Sequence, residues 1–160
     1  MLRLTPIAVL TLLLCSGCSA LSPYSNLTKL DLALSTSDQL NPDLDGRPSP
    51  IVVRLFELKH PVAFENADFF SLYERPRETL SPDFVASEEL ELRPGERYAL
   101  KLSINESSRY VGVIAAYRDL PRSQWRQLIP LAPRQRAHSE LRLEPDGIVD
   151  LGATPPSKGN

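Results

Sequence analysis

Fifteen prolines in a chain of 160 residues limit the length of every helix and strand that it can form. A proline lacks the amide hydrogen that helices and sheet ladders need, so regular elements end close to each one. Between the prolines lie short segments rich in leucine and valine, several of which alternate apolar and polar residues. Segments of this length and pattern are typical of β-strands joined by turns.

The clearest alternation is in residues 27–34, where Leu30, Leu32 and Leu34 share one face of an extended chain. Residues 93–96, Arg-Pro-Gly-Glu, predict a hairpin between the third and fourth strands. Eight segments have strand character: residues 27–34, 51–58, 84–92, 96–104, 110–117, 125–131, 138–143 and 147–151. Together they predict an all-β fold, an antiparallel β-sandwich of about eight strands.

One segment, residues 64–74, has the period of a helix instead. Phe69, Leu72 and Tyr73 fall on one helical face, and Asn66 could cap the start. One or two short helical insertions are therefore expected within a single domain of residues 27–152. Residues 153–160 are predicted to be a disordered tail.

The first seventeen residues have the layout of a signal peptide. Arg3 supplies a positive charge, and residues 4–14 form an apolar run shorter than the roughly 20 residues that a membrane span needs. Ser16-Gly17-Cys18 then matches a lipobox, in which the cysteine thiol takes up a diacylglyceryl group and becomes the new N-terminus. The leucine usual three positions earlier is replaced by Cys15, a small hydrophobe. An ordinary secretory signal is the alternative.

We therefore expect a lipoprotein signal peptide at residues 1–17 and a lipidated tether at residues 18–26, with the lipid on Cys18. An aspartate after the lipidated cysteine usually retains a lipoprotein at the inner membrane, so Ser19 predicts sorting to the outer membrane. Three acyl chains, at about 0.8 kcal/mol per buried methylene, give stable anchoring. The domain would lie on the periplasmic side of that membrane.

The sequence offers little for catalysis, metals or nucleic acids. His60 and His138 stand in unrelated contexts, and no G-x-S-x-G or H-E-x-x-H motif is present. Residues 41–46 resemble the start of a calcium loop, but the twelfth position, where an acid should stand, is Val52. A turn-rich loop held by Asx-type hydrogen bonds is the alternative to calcium. Without a basic cluster, nucleic acid is not expected as a partner.

The loop of residues 35–50 is the most unusual feature of the predicted domain, since it is longer than most connections between strands. It is expected to expose Leu40 and Leu44 beside Asp43, Asp45 and Arg47. Its prolines limit the entropy that it would lose on docking to a partner. Recognition is therefore the favoured role for this loop, and a simple connector is the alternative.

Several stretches, in order, resemble one family. They are residues 40–43 (LNPD), 46–59 (GRPSPIVVRLFELK), 67–73 (ADFFSLY), 92–96 (LRPGE) and 110–118 (YVGVIAAYR), followed by Trp125-Arg126. Together with the lipobox, they resemble the TssJ family, the outer-membrane lipoproteins of the type VI secretion system. The resemblance implies a transthyretin-like sandwich with an added helical element, no enzyme activity, and no cofactor apart from the lipid.

The resemblance also implies a partner. Members of the family bind the periplasmic C-terminal domain of the inner-membrane protein TssM, which works with TssL, through the loop between the first two strands. The partner-binding residues that it implies here are Gln39, Leu40, Asn41, Pro42, Asp43, Leu44, Asp45, Gly46 and Arg47. Two other hypotheses remain: a lipid-anchored periplasmic carrier of small ligands, and, with less support, a lipid-anchored hydrolase.

Overall fold

Eight β-strands and three short α-helices follow one another in the computed structural model, which describes residues 27–152. In chain order they are β1 (Thr28–Thr36), β2 (Ile51–Leu58), α1 (Val62–Asn66), α2 (Phe69–Glu74), α3 (Pro76–Thr79), β3 (Phe84–Leu92), β4 (Arg97–Ile104), β5 (Tyr110–Ala115), the 3-10 helix Leu120–Arg122, β6 (Arg126–Pro130), β7 (Arg136–Glu144) and β8 (Gly147–Asp150). Within this range, no helix has the length and apolar character needed to cross a membrane. The predicted signal peptide, Cys18, Ser19, the tether and the tail lie outside the described residues.

The strands form two four-stranded sheets, ordered β4-β1-β7-β8 and β3-β2-β5-β6. This arrangement confirms the predicted β-sandwich. Five of its six strand pairings are antiparallel, and the sixth, between β1 and β7, is parallel. A parallel pair needs a long crossover connection, which the chain supplies because β1 and β7 are separated by most of the domain.

The main core lies between the two sheets. Leu30, Leu32 and Leu34 of β1 are each at most 2% exposed and contribute one wall of it, as their alternation predicts. Val111 and Val113 of β5 contribute to the opposite wall. At about 1.5–3 kcal/mol for each fully buried aliphatic side chain, this face-to-face burial is the dominant stabilising term.

A second apolar cluster lies on the other side of the sheet that contains β2 and β5. Phe56 and Ile114 of that sheet pack there against Phe64, Leu72 and Leu80 of the helical segment. Both faces of β2 and β5 are therefore buried, which explains why their sequences are apolar almost throughout. Gly112 of β5 leaves room for the Phe64 ring, because a Cβ there would lie 2.7 Å from Cε2 of Phe64.

The helical segment was predicted in the right place, but the predicted cap was wrong. Residues 64–74 contribute to two helices, α1 and α2, and not to one. Asp68 caps α2, since its Oδ1 accepts a hydrogen bond from the Ser71 N–H at 3.0 Å. The side chain of Asn66 instead donates to the Val62 carbonyl at 2.8 Å, at the end of α1. Asp68 is favoured because it stands directly before the first helical residue.

The predicted hairpin between β3 and β4 is also wrong. The turn itself forms, with the Glu96 N–H donating to the Arg93 carbonyl at 3.2 Å. However, β3 pairs with β2 in one sheet, and β4 pairs with β1 in the other. Leu90 therefore packs against the main core from one sheet and Leu100 and Leu102 from the other, rather than side by side along a ladder. Crossing between the sheets lets these half-buried leucines pack against the main core, which a two-stranded hairpin alone would not do.

Candidate docking site

The loop between β1 and β2, residues 37–50, connects the two sheets at the end of the sandwich where β1 finishes. It folds back on itself through backbone hydrogen bonds, from the Ser49 N–H to the Leu40 carbonyl at 3.0 Å and from the Asp43 N–H to the Arg47 carbonyl at 2.9 Å. These bonds give the loop a base near Leu40 and a tip at residues 43–47. Because the backbone groups pair within the loop, its shape does not depend on a partner.

The base of the loop is buried, which corrects one expectation. Leu40 was expected to be exposed, but it is completely buried and belongs to the main core between the sheets. The physical reason is that the loop folds over the open end of the sandwich, where an apolar side chain excludes water from the core. Leu40 can therefore support the shape of the loop but cannot offer its side chain to a partner.

Asn41 fastens the base to a neighbouring loop. Its side chain is only 4% exposed, and its φ of 46° is a left-handed conformation that asparagine tolerates better than most residues. Its Nδ2 donates to the Pro50 carbonyl at 3.0 Å, while its Oδ1 accepts from the Arg118 N–H at 2.9 Å. The sequence analysis assigned Asn41 to partner binding, whereas in the structure it holds two loops together.

The tip of the loop is organised by Asp43. One carboxylate oxygen accepts the backbone N–H groups of Asp45 and Arg47, both at 2.9 Å, and the other accepts the Arg47 Nε at 2.9 Å. The N–H groups and guanidinium that face the carboxylate, above all the backbone N–H of Arg47, hold the pKa of Asp43 below its ordinary value. Gly46 completes the turn with a φ of 78°.

These are the Asx-type hydrogen bonds that were weighed against calcium. The side chain of Asp43 is occupied by donors of its own loop, and Arg47 also pairs with Asp45 at 2.7 Å. Across residues 27–152, no group of three or more His, Cys, Asp or Glu side chains is placed to hold a metal ion. The guanidinium of Arg47 thus occupies the position beside Asp43 and Asp45 that a bound cation would need.

The tip presents an apolar side chain to the solvent. Leu44 is fully exposed, and Asp45, Gly46 and Arg47 beside it are exposed as well. Gln39 is exposed at the side of the loop, and Pro42 and Asp43 are half-buried. A large apolar side chain at a rigid tip, surrounded by charged groups, has the character of an interface anchor with a polar rim.

A second group of residues faces the loop tip across a hollow. A hollow of about 620 Å³ separates the loop from residues 117–123 and 145–146. Tyr117 lies at its base, where its hydroxyl donates to the Glu144 carbonyl at 3.0 Å and burial raises its pKa. Arg122 pairs with Asp119 at 2.6 Å on the rim. The sequence analysis did not include these residues in the site, because β1 and β5 belong to different sheets and only the folded sandwich brings their ends together.

The two histidines lie apart from this end and from each other. His60 follows β2, is largely exposed, and has its Nδ1 2.7 Å from Oδ1 of Asp83. His138 lies in β7 of the other sheet, also largely exposed, with its Nδ1 3.4 Å from Oδ2 of Asp31. Both are surface side chains, as the sequence predicted, and each lies beside one carboxylate.

Comparison with known proteins identifies the family. The family model described as "Type VI secretion lipoprotein, VasD, EvfM, TssJ" matches residues 28–146. The chain belongs to this family. It is thus a member of the TssJ lipoproteins of the type VI secretion system, which are structural components of that machine, and the predicted resemblance is confirmed.

Solved structures support the same assignment. The lipoprotein TssJ1 from Pseudomonas aeruginosa is 35% identical, with a TM-score of 0.77, covering 81% of this chain and 99% of that one. Serratia marcescens Lip, a membrane-bound component of the type VI secretion system, is 25% identical, with a TM-score of 0.72, covering 78% and 97%. A structure described as the TssM C-terminal domain from EAEC matches at 22% identity and a TM-score of 0.66, covering 79% and 99%, and shows the fold alone. No curated protein matches the chain.

Proposed function

We propose that this TssJ-family protein is a non-enzymatic outer-membrane lipoprotein that binds the periplasmic C-terminal domain of TssM, and through it associates indirectly with TssL. The contact is the tip of the loop between β1 and β2. The observation that carries this proposal is the exposure of Leu44 on a loop that Asp43 and Asn41 hold in one conformation. An anchor that is already ordered loses little entropy when it binds.

The contacting side chains are a subset of those that the family resemblance implies. Leu40 and Asn41 are buried and act by shaping the loop. The remaining residues are at least partly exposed and can reach a partner: Gln39, Pro42, Asp43, Leu44, Asp45, Gly46 and Arg47. Leu44 would enter an apolar pocket of TssM, while the charged residues around it set the orientation of the two proteins.

The anchor is the lipid on Cys18, and the direction of β1 supports this arrangement. β1 begins at Thr28, close in sequence to Cys18, and the docking loop follows its other end. Nine residues of a strand advance by about 26 Å. The loop would therefore point away from the membrane and into the periplasm, where an inner-membrane protein could reach it.

Binding can be tested with the lipidated protein in detergent and the purified periplasmic domain of TssM. Leu44→Asp is expected to weaken the affinity by at least about tenfold, because it places a charge in an apolar contact. Leu151→Asp is the matched control, since Leu151 is another exposed leucine outside the loop. Equal affinities of the two variants would refute the loop assignment.

The anchor needs its own test. Cys18→Ser should move the protein from the outer-membrane fraction to the soluble periplasmic fraction, and it should leave the affinity for TssM unchanged. Intact-mass spectrometry of the unchanged protein should show the acyl chains on the N-terminal cysteine. A Cys18→Ser variant that remained in the outer-membrane fraction would show that the lipid is not the anchor.

The hollow beside the loop keeps one alternative open, that of a lipid-anchored small-ligand carrier. Its volume, about 620 Å³, is within the range of ligand pockets. However, charged side chains line it, among them Arg118, Asp119, Arg122 and Asp146, which suits a polar protein surface better than an apolar ligand. A small molecule retained in native mass spectrometry would favour the carrier.

A further inference from the structure

The end of the sandwich where β1 begins carries an excess of unpaired positive charge. Four cationic side chains lie there without an ion-pair partner among residues 27–152: Lys29 in β1, Lys59 after β2, Arg109 before β5 and Arg134 before β7. They are far apart in the sequence, and only the fold gathers them. We call this end, with these four residues, the basic end.

Four acidic side chains lie at the same end, and one of them, Asp31, pairs with an arginine. Asp83 lies beside His60 at 2.7 Å, and Asp31 pairs with Arg136 at 3.1 Å. Glu57 accepts hydrogen bonds from the Asn105 N–H and the Ser108 hydroxyl at 3.0 and 2.9 Å, inside the turn that follows β4. Glu106 is the remaining exposed acid. Hydrogen bonds from neutral donors leave the charge of Glu57 in place, and a neutral His60 leaves that of Asp83. With the Arg136–Asp31 pair counted as zero, the four cations face three carboxylates, so the net charge of the basic end is 4 − 3 = +1 with histidine neutral.

Hydrogen bonds hold the side chain of Arg109 and the backbone of Arg134. Arg109 donates to the carbonyls of Glu106 and Ser108 at 2.6 and 2.8 Å, which fixes its guanidinium without neutralising it. Arg134, in a left-handed conformation with φ 60°, donates its N–H to Thr28 Oγ1 at 2.9 Å. Both arginines border a hollow of about 580 Å³ that Thr28, Pro133 and the single acid Glu106 also line. The positive charge is thus positioned around the first residue of β1.

The opposite end has the reverse sign. Its loops, residues 37–50, 93–96, 116–124 and 144–147, contain seven acidic and four basic residues. The acidic residues are Asp38, Asp43, Asp45, Glu96, Asp119, Glu144 and Asp146, and the basic residues are Arg47, Arg93, Arg118 and Arg122. The domain is electrostatically polar along β1.

We propose that the basic end binds anionic phospholipid headgroups of the membrane in which the protein is anchored. This rests on the proposed lipid on Cys18. Ten peptide links separate Cys18 from Thr28, and even fully extended they reach about 35 Å at most. The start of β1 therefore stays within reach of the membrane surface, and the charge there is complementary to anionic headgroups. The contact orients the domain so that the docking loop points away from the membrane.

The strength of this contact follows from the number of charges. Each lysine or arginine near an anionic surface strengthens the interaction by about fivefold at physiological ionic strength, and the effect decays within a Debye length of about 8 Å. Since the lipid holds the protein at the surface in any case, the basic end decides the orientation of the domain and not whether it is bound.

The test uses the lipidated protein reconstituted in nanodiscs, with hydrogen–deuterium exchange as the readout. Discs of phosphatidylcholine alone are compared with discs that contain about 30% phosphatidylglycerol. In the anionic discs, amides of residues 105–109 and 132–136 should exchange at least about fivefold more slowly, and about 0.5 M salt should abolish the difference. Amides of residues 43–47 should exchange equally in both.

Charge variants separate orientation from folding. Lys59→Gln with Arg134→Gln should remove the protection in anionic discs, whereas the matched pair Arg118→Gln with Arg122→Gln, at the opposite end, should keep it. For each variant, exchange in anionic discs is compared with exchange of the same variant in neutral discs. Any local loosening caused by the substitution itself then cancels. Equal exchange in the two disc types, or equal loss in both variant pairs, would overturn the proposal.

If the lipid were not on Cys18, the experiment would fail in a different and recognisable way. A protein without acyl chains on Cys18 would not enter the discs, and its intact mass would show this before exchange is measured. Affinity for TssM depends on the opposite end and should be the same for the Lys59→Gln and Arg134→Gln variant in detergent. A fall in that affinity would mean that the basic end contacts TssM and not lipid.

Discussion

The Asn41 side chain accepts a hydrogen bond from the backbone N–H of Arg118 at 2.9 Å and so joins two loops that lie 77 residues apart in the sequence. One loop follows β1 and the other follows β5, so the two sheets of the sandwich are connected at this end. The tip of the loop, residues 43–47, projects from this connection. Its orientation is therefore set by the sandwich and not by the loop alone.

Removing that connection should destabilise the domain. Asn41→Ala loses two hydrogen bonds of a buried side chain and places alanine at a positive φ. We expect the free energy of unfolding, measured by urea denaturation, to fall by about 2–3 kcal/mol. Asn66→Ala is the control, because Asn66 is exposed and donates only one hydrogen bond, to Val62. Its cost should stay within about 0.5 kcal/mol, and equal costs for the two variants would contradict the buried role of Asn41.

Alanine substitutions of two leucines in the same loop should differ strongly in their effect on stability. Leu40→Ala should lower the free energy of unfolding by about 2–5 kcal/mol, because it leaves a cavity in the core. Leu44→Ala should change it by no more than about 0.5 kcal/mol, since Leu44 contacts only solvent. Denaturation of both variants under one set of conditions checks this. A small effect of Leu40→Ala would mean that the loop does not close the core.

The conformation of the loop tip should depend on pH through Asp43. Its pKa in the folded protein lies below the ordinary value of 3.8, mainly because of the backbone N–H of Arg47 and then the Arg47 side chain. A carboxyl group with a lowered pKa stabilises the fold above its unfolded pKa, and this contribution is lost as the pH falls through the folded pKa. The tip should therefore stay ordered at neutral pH and loosen only in strong acid, below pH 3.8.

An NMR titration of the Asp43 carboxyl carbon measures this directly. Arg47→Ala removes the side-chain hydrogen bond but keeps the backbone one, so the pKa of Asp43 should rise only part of the way to its ordinary value. Arg93→Ala, outside this loop, should leave it unchanged. A complete return to the ordinary value in Arg47→Ala would show that the guanidinium alone is responsible.

Arg126 should be essential for the position of the helical segment. Its guanidinium donates to the carbonyls of Phe64, Glu65 and Ala67 at 2.9, 2.7 and 3.0 Å, where α1 ends and its carbonyls lack helical partners. Arg126→Ala should therefore speed amide exchange across residues 62–74 by at least about fivefold, which corresponds to one lost hydrogen bond. Arg97→Ala, an exposed position in β4, should leave this exchange unchanged, and equal exchange in both variants would contradict the assignment.

Much of the local structure follows from the sequence. β2 has the predicted bounds, Ile51–Leu58, and the alternating leucines of β1 face the core as expected. The long loop and the helical segment also lie where periodicity and prolines predict them. These features are local, because the identity of a residue and its near neighbours decide whether a segment alternates, turns or follows a helical period.

The partners of these segments were decided by the tertiary structure. Alternation shows which face of a strand is buried but not which strand lies beside it, so the parallel pairing of β1 with β7 and the separation of β3 from β4 could not be read from it. Leu40 is buried only because the loop folds over the core, and Arg118 lies beside Asn41 only because β1 and β5 end together. The sequence by itself determined the strands, the loop and the family signature, whereas burial across the sandwich decided which residues of the loop remain available to a partner.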